Sequence, residues 1–192
     1  MSKWTYPSVW RTVSAQQPEA VAIEAGSSVI HWSEFVDSMD AVASHLVNLD
    51  LPVQSTIALY LYNCPEYLTG FAGALAARFV PINTNYRYAH NELHYLFTNA
   101  DARVVVFHGT FLDKIEALRH ELPDVVEWIY VDDGTSSCPE WATNFASVLA
   151  SEKVALPEPS PDDLIMIYTG GTTGMPKGVM WRQDDLFVRL NS

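Results

Sequence analysis

Short apolar runs alternate with longer stretches of helical periodicity along most of the chain. Residues 21–23 and 29–32 are apolar segments on either side of a turn at Gly26, and they predict a small β-hairpin. Ser33 can then cap a helix, because a serine side chain accepts hydrogen bonds from the free N–H groups of a first turn. The apolar positions of that helix recur every three or four residues, at Phe35, Met39, Val42, Leu46 and Leu49.

The alternation continues through residue 131 and predicts four further strands. They cover residues 57–62, 80–82, 103–107 and 125–131. Strands separated by helices predict an α/β fold with a mostly parallel sheet and covering helices, joined by right-handed crossovers. A strand as apolar as residues 103–107 should be buried on both of its faces in such a sheet.

Three helices are expected between these strands. Asn63 and Glu66 have the spacing of a capping box, so the first helix should begin there and run to about residue 78. Pro65 suits the first turn of the same helix, where its missing N–H costs nothing. The second helix should span about residues 91–98, and the third is marked by the apolar positions Phe111, Ile115 and Leu118.

Two stretches interrupt the pattern. Residues 132–139 are mostly polar and should form a surface loop. Residues 157–161 carry three prolines, which forbid a regular helix and favour a stiff, extended connection. The sequence therefore predicts two units: an N-terminal α/β subdomain over residues 1–156, and a linker with a further strand–loop–strand element, cut short, over residues 157–192.

Composition and charge narrow the class of protein. The formal net charge of -12 argues against a nucleic-acid partner, which clustered lysines and arginines would recognise. Cys64 and Cys138 have neither metal-binding spacing nor a disulfide framework. The first residues lack the apolar core of a signal peptide, and the apolar stretch 71–77 is far shorter than the roughly 20 residues of a spanning helix. These features predict a cytoplasmic protein without a transmembrane segment.

Residues 168–179 form the segment with the clearest chemistry, Tyr-Thr-Gly-Gly-Thr-Thr-Gly-Met-Pro-Lys-Gly-Val. Glycines allow backbone N–H groups to approach an anion closely, threonine hydroxyls add donors, and a lysine adds a compact positive charge. Pro176 and Gly178 flank Lys177, so the segment lacks the Gly-Lys-Ser/Thr of a Walker A loop that opens a helix. It predicts instead a strand–loop–strand phosphate clamp; the alternative is a flexible Gly/Thr connection.

Other candidate residues have structural alternatives of equal or greater weight. His90 and His94 could share one helix face, but the zinc-protease pattern needs a glutamate directly after the first histidine and no third ligand is evident. Four residues near the end of a strand could line a pocket in which Arg87 contacts an anion, or they could form a hydrogen-bonded loop; they are Asn83, Asn85, Tyr86 and Arg87. The N-terminal aromatic residues are expected to dock a helix rather than to bind a ligand; they are Trp4, Tyr6 and Trp10.

The 168–179 segment resembles the phosphate-binding signature of the acyl-adenylate-forming enzymes, which include acyl-CoA synthetases, luciferases and peptide-synthetase adenylation domains. Eleven of the twelve positions agree with Tyr-Thr-Ser-Gly-Thr-Thr-Gly-x-Pro-Lys-Gly-Val when x is free, and Gly170 replaces the usual serine. Segments 30–35, 73–83 and 85–93 are also similar to the family. The resemblance implies that residues 1–192 are the N-terminal part of a longer adenylate-forming ligase fold.

The resemblance also implies a reaction and its ligands. A carboxylic acid would be activated by ATP and Mg²⁺ as an acyl-adenylate and then transferred to coenzyme A. The resemblance to bacterial acyl-CoA synthetases implies a fatty or sterol-derived acid. The residues implied to bind the ATP phosphates are Thr169, Gly170, Gly171, Thr172, Thr173, Gly174, Lys177 and Gly178.

Several family motifs have no counterpart in the 192 residues. They are the adenine-binding Tyr-Gly-x-Thr-Glu, the ribose-binding Thr-Gly-Asp and the C-terminal lysine. The expectation is therefore a fragment that neither adenylates nor forms a thioester alone, with the remaining C-terminal portion as a possible separate chain. Two alternatives stay open at this point: a non-catalytic nucleotide-binding module, and an inactive remnant of a truncated gene.

Overall fold

The computed structural model describes residues 4–169 and 175–191, which form helices and strands in alternation. The helices are α1 Tyr6–Gln16, α2 Trp32–Val47, α3 Pro65–Ala76, α4 His90–Asn99, α5 Leu112–Arg119, α6 Phe145–Leu149 and α7 Gln183–Leu190. The strands are β1 Val21–Ala25, β2 Ser28–His31, β3 Thr56–Tyr60, β4 Val80–Asn83, β5 Ala102–His108, β6 Glu127–Val131, β7 Thr143–Asn144, β8 Leu164–Thr169 and β9 Lys177–Arg182.

Seven of the strands form one sheet in the order β7-β6-β5-β3-β4-β8-β9, and β1 and β2 form the separate hairpin that the sequence predicts. Every neighbouring pair of the large sheet is parallel except β8 and β9, which are antiparallel. The predicted α/β class with a mostly parallel sheet is confirmed. β3 and β5, at the middle of the sheet, are almost entirely buried, as expected for parallel strands covered on both faces.

Alternate residues of the central strands serve the two faces of the sheet. Ile57 and Leu59 pack with α2, α3 and α6 in one apolar cluster, whereas Ala58 and Tyr60 pack with α4 and α5 in the other. This division follows from the period-two geometry of a strand, whose successive side chains point to opposite faces.

Helix α3 approaches α2 closely because it carries glycine where the two helices cross. A Cβ atom built on Gly73 would lie 2.5 Å from Val42 Cβ and 3.1 Å from the carbonyl oxygen of Met39. Neither neighbour can move far, since Val42 and Met39 are themselves buried in the helix that forms the contact. Gly73 is therefore required by close approach rather than by an unusual backbone angle.

Two predicted helix caps are wrong. Helix α2 begins after His31, whose N–H donates to Glu34 at 2.8 Å, and the Ser33 hydroxyl donates instead to the Pro18 carbonyl oxygen at 3.1 Å. Helix α3 begins after Cys64, whose Sγ accepts from the Tyr67 N–H at 3.3 Å, so Asn63 is not the cap. The first helix residue is therefore Trp32 in α2 and Pro65 in α3, so the side chains nearest the free N–H groups are those of His31 and Cys64.

An ion pair connects the linker to the turn after α3. Asp163, which precedes β8, is almost fully buried and accepts from the Arg78 guanidinium at 3.0 Å on Nε and 2.9 Å on Nη2. Arg78 has a positive φ of 62°, and its carbonyl oxygen accepts from the Gln54 N–H at 2.7 Å. Because β8 also joins the large sheet, residues on both sides of the predicted boundary at 156/157 share one sheet. The boundary itself stays a prediction.

The two ends of the described chain meet. The Trp4 ring stacks on Phe187 of α7 at a centroid distance of 4.9 Å, and Tyr6 meets the same ring edge-on at 5.7 Å. The backbone N–H groups of Trp4 and Tyr6 donate to the side chains of Asp184 and Gln183. The expectation that the N-terminal aromatic residues dock a helix is confirmed.

Candidate phosphate-binding site

Strands β8 and β9 form the hairpin that carries the predicted phosphate loop. Six cross-strand pairs join them, from Leu164 opposite Arg182 to Thr169 opposite Lys177. The strand–loop–strand prediction is therefore confirmed. We refer to β8, β9 and the loop between them as the phosphate hairpin.

Thr169 and Lys177 lie opposite each other at the base of the loop, and both are exposed. Thr169 is the last residue of β8, which runs parallel to β4, so the loop leaves the sheet at the carboxyl end of its parallel strands. Ligands of open α/β sheets bind beyond this end. The hydroxyl of Thr169 and the ammonium group of Lys177 are thus available to an anion at this edge.

Five of the eight predicted site residues lie outside the described part of the chain. They are Gly170, Gly171, Thr172, Thr173 and Gly174. Their predicted contacts with phosphate stay predictions.

Gly178 has a packing role that the sequence did not reveal. It lies opposite Tyr168, and a Cβ atom at this position would lie 3.0 Å from two ring carbons of Tyr168 and 3.2 Å from Met166 Sδ. The backbone here is not in the left-handed region, since the positive-φ glycines of the described chain are Gly26 and Gly134. A side chain at position 178 would push the Tyr168 ring away from the hairpin.

Tyr168 is held by two asparagines outside the phosphate hairpin. Its backbone N–H donates to Asn83 Oδ1 at 3.0 Å, and its hydroxyl donates to Asn99 Oδ1 at 2.8 Å. Asn83 ends β4 and was predicted only as a pocket-lining or loop residue, while Asn99 ends α4 and carried no prediction. Asn83 could have been found from the sequence, because it directly follows a predicted strand. Asn99 could not, because its partner Tyr168 is 69 residues away in the chain.

The base of the phosphate hairpin is also tied by side chains. The Leu164 N–H donates to Gln54 Oε1 at 2.8 Å, next to the Arg78–Asp163 ion pair. On β9, Arg182 pairs with Asp162 and with Asp185, which hold the strand's last residue against the linker and α7. These contacts hold the end of the hairpin that is farther from the loop, where Leu164 lies opposite Arg182.

The segment around Arg87 forms a hydrogen-bonded loop, which was the alternative to an anion site. The Arg87 N–H donates to Asn85 Oδ1 at 3.0 Å, a side-chain turn of the kind that asparagine favours. The Arg87 guanidinium lies 5.5 Å from the centre of the Tyr86 ring and is exposed.

His90 and His94 do share one face of α4, and both approach Glu121. The distances from their Nε2 atoms to the carboxylate are 3.1 and 3.9 Å. Among residues 4–169 and 175–191, however, no group of three His, Cys, Asp or Glu side chains is arranged to hold a metal ion. The two histidines form a partly exposed contact with Glu121 between α4 and the turn after α5.

Comparison with known proteins decides the family. The sequence model of the AMP-binding enzymes matches residues 10–192. The chain belongs to the AMP-binding enzyme family. This result agrees with the resemblance carried by the loop and by segments 30–35, 73–83 and 85–93.

The similar curated proteins are acyl-CoA ligases. The chain is 34% identical over 202 aligned positions to the medium-chain acyl-CoA ligase Mig of Mycobacterium avium, covering 96% of this chain and 36% of that protein. It is 30% identical over 180 positions to 3-oxocholest-4-en-26-oate–CoA ligase of Rhodococcus rhodochrous, covering 88% and 31%. The chain thus spans about a third of the length of the relatives it matches.

Solved structures of CoA ligases have the same fold. The anthranilate–CoA ligase AuaEII in complex with anthranoyl-AMP superposes with a TM-score of 0.90 at 18% identity, over 98% of this chain and 36% of that one. A benzoate–CoA ligase from Burkholderia xenovorans LB400 gives 0.82 at 18% identity, over 98% and 36%. In the described part of this chain, no helix has the length and apolar character needed to cross a bilayer.

Proposed function

We propose that this chain is the N-terminal, phosphate-binding part of an ATP-dependent carboxylic acid–CoA ligase. The observation that carries the proposal is the pairing of Thr169 with Lys177 at the base of the loop, on a hairpin at the carboxyl end of a parallel sheet. Membership of the AMP-binding family and the acyl-CoA ligase names of the relatives support the same reaction class.

The proposed reaction has two steps. A carboxylate oxygen attacks the α-phosphorus of ATP, the bond from that phosphorus to the bridging oxygen breaks, and pyrophosphate leaves. The thiol of coenzyme A then attacks the acyl carbon, the bond to the AMP oxygen breaks, and the thiol proton is released. The relatives' names support a fatty or sterol-derived acid as substrate. The proposed compartment is the cytoplasm, where ATP and coenzyme A are both available.

Lys177 and the loop would act on the charge that develops on the leaving pyrophosphate. Fixed donors aimed at developing charge are the main source of catalysis in phosphoryl chemistry. The Lys177 ammonium group, the hydroxyls of Thr169, Thr172 and Thr173, and the N–H groups of residues 170–174 would supply these donors. Mg²⁺, which would accompany ATP rather than occupy a cage of protein ligands, would share that charge.

Binding of pyrophosphate with Mg²⁺, measured by titration calorimetry, tests this assignment. We expect the Lys177→Ala chain to bind about tenfold more weakly than the wild-type chain, which corresponds to about 1.4 kcal/mol. That loss is close to the lower end of the range of about 1.5–3 kcal/mol for a hydrogen bond to a charged group.

A second lysine provides the matched control. Lys153 is also exposed, and it pairs with Asp37 at 2.6 Å on another part of the surface. Lys153→Ala should leave the pyrophosphate affinity unchanged. Equal affinities for the wild-type and Lys177→Ala chains would contradict the proposed role of Lys177.

A non-catalytic nucleotide-binding module is the second candidate, because the chain spans only about a third of its relatives. The two functions can be distinguished by mixing this chain with the C-terminal portion of a relative, produced as a second chain. ATP-dependent release of pyrophosphate with a fatty acid would support the ligase. A dissociation constant for ATP below about 1 mM, with no release of pyrophosphate in the mixture, would support the module.

A further inference from the structure

Strand β8 is attached to its parallel neighbour by very little backbone pairing. Within the described residues, the β4–β8 ladder has a single registered pair, Ile82 with Met166. The neighbouring β3–β4 ladder has four pairs, and the β8–β9 ladder has six. The phosphate hairpin is therefore well paired within itself but only weakly paired to the sheet that supports it.

Side-chain amides supply the hydrogen bonds that the ladder lacks. Gln54 Oε1 accepts from the Leu164 N–H at 2.8 Å at the start of β8, and Asn83 Oδ1 accepts from the Tyr168 N–H at 3.0 Å near its end. Backbone N–H groups need such partners when they are shielded from water. A neutral amide offers an acceptor without placing a negative charge beside a polyphosphate.

Tyr168 collects three contacts at the point where β8 enters the loop. Its N–H is bound by Asn83, its hydroxyl by Asn99, and its ring covers Gly178 on β9. Burial, helped by the nearby Tyr95, raises the pKa of the Tyr168 phenol, so the hydroxyl stays protonated and donates. We name these four residues the Tyr168 anchor: Asn83, Asn99, Tyr168 and Gly178.

We infer that Asn83 and Asn99 are positioning residues for phosphate binding. They hold Tyr168 and thereby fix where Thr169 and Lys177, the next pair of the same ladder, stand relative to the sheet. Neither asparagine needs to touch the ligand. The inference rests on the proposed function, because it assigns these residues to the same phosphate site.

Amide hydrogen exchange of the ligand-free chain tests whether Asn83 holds the backbone of Tyr168. Asn83→Ala should make the Tyr168 amide exchange at least about tenfold faster, the effect of losing about 1.4 kcal/mol of local protection. Asn83→Asp keeps an acceptor oxygen and should restore slow exchange. The amides of β3 and β5 should exchange at the wild-type rate in both variants. Faster exchange in these strands as well would overturn the inference, because it would show that the substitution destabilises the whole sheet.

Pyrophosphate binding tests the functional half. Tyr168→Phe keeps the ring over Gly178 and removes only the hydroxyl, so it should fold and bind about tenfold more weakly. Asn99→Ala should have the same effect, and the double variant should be no worse than either one, because all three lose a single hydrogen bond. Asn91→Ala, at an exposed position of the same helix, is the control and should bind like the wild type.

The outcomes separate this inference from the proposed function. Wild-type affinity in Asn83→Ala and Tyr168→Phe would overturn the positioning role and leave the phosphate site intact. A wild-type chain that binds no pyrophosphate would overturn the proposed function itself. Weaker binding in the anchor variants, with wild-type binding in Asn91→Ala, would support both.

Discussion

His108 is a buried histidine that must stay neutral to keep its hydrogen bond. It ends β5, is 5% exposed, and its Nδ1 accepts from the Tyr62 N–H at 3.0 Å. Burial lowers the pKa of the His108 imidazole, and the nearby carboxylates of Asp133 and Glu66 oppose this only in part. A proton on Nδ1 would remove the acceptor and leave a charge in an apolar position.

The free energy of unfolding should therefore fall as the pH falls below the ordinary histidine pKa of 6.5. The unfolded chain then binds a proton that the folded chain does not, which gives a slope of at most about 1.4 kcal/mol per pH unit. Urea unfolding at pH 7.5, 6.0 and 5.0 measures the slope. His108→Asn, which keeps an acceptor but cannot titrate, should flatten it, whereas His120→Asn, at an exposed position, should not. Equal slopes in all three chains would refute the assignment.

Residue-level roles near the loop show what sequence alone could provide. Thr169 and Lys177 were predictable as a pair because their chemistry is local to one motif. Asn99 was not, because its partner Tyr168 is 69 residues away in the chain and asparagine at a helix end has many uses. The two helix caps were predicted wrongly because His31 and Cys64, which occupy the N-cap positions, are not among the residue types that favour them.

At the scale of elements, the crossing of α2 and α3 depends on one of two buried glycines in α3. Gly73→Ala should destabilise the fold by about 1–3 kcal/mol, since its methyl group would overlap Val42 and cannot be accommodated without moving a helix. Gly70→Ala is the matched control, because its Cβ would lie an ordinary 3.4 Å from Leu59 Cδ2. It should be neutral or stabilise the helix by about 0.5–1 kcal/mol. Chemical denaturation measures both, and equal effects would contradict the packing argument.

The long, strongly patterned elements were predictable, and the short or unpatterned ones were not. Strands β3 to β6 and helices α2 to α5 follow apolar periodicities that correspond to buried faces. β7 has two residues and α6 has five, too few for a period to show. Helix α7 directly follows β9, and its position depends on contacts with the N-terminus that no local pattern contains.

On the scale of the whole molecule, β9 is the last strand of the described sheet and carries exposed apolar residues. Met180 is 62% exposed, and Leu190 of the following helix is 70% exposed. An unpaired strand edge beside apolar side chains favours association with another chain. We therefore expect this edge to lower the solubility of the chain.

Replacement of Met180 by lysine tests this edge. If copies associate there, Met180→Lys should raise the dissociation constant about tenfold or more, as expected for loss of a buried methionine and gain of a repelling charge. Val53→Lys, at a position that is 55% exposed in the turn before β3, is the control. Analytical ultracentrifugation gives both constants. Identical effects of the two substitutions would point to general charge rather than to the edge.

The contact between Trp4 and Phe187 sets a condition on how the chain can be made. At a synthesis rate of about 5–20 residues per second, the N-terminal aromatic residues leave the ribosome roughly 10–40 seconds before α7 does. During that interval α1 can rest only on earlier partners, such as Phe35 against Trp10. Completion of the N-terminal docking must therefore wait for α7, because the partners of Trp4 and Tyr6 are Gln183, Asp184 and Phe187. A nascent chain whose Trp4 and Tyr6 are still unprotected is one in which α7 has not yet docked.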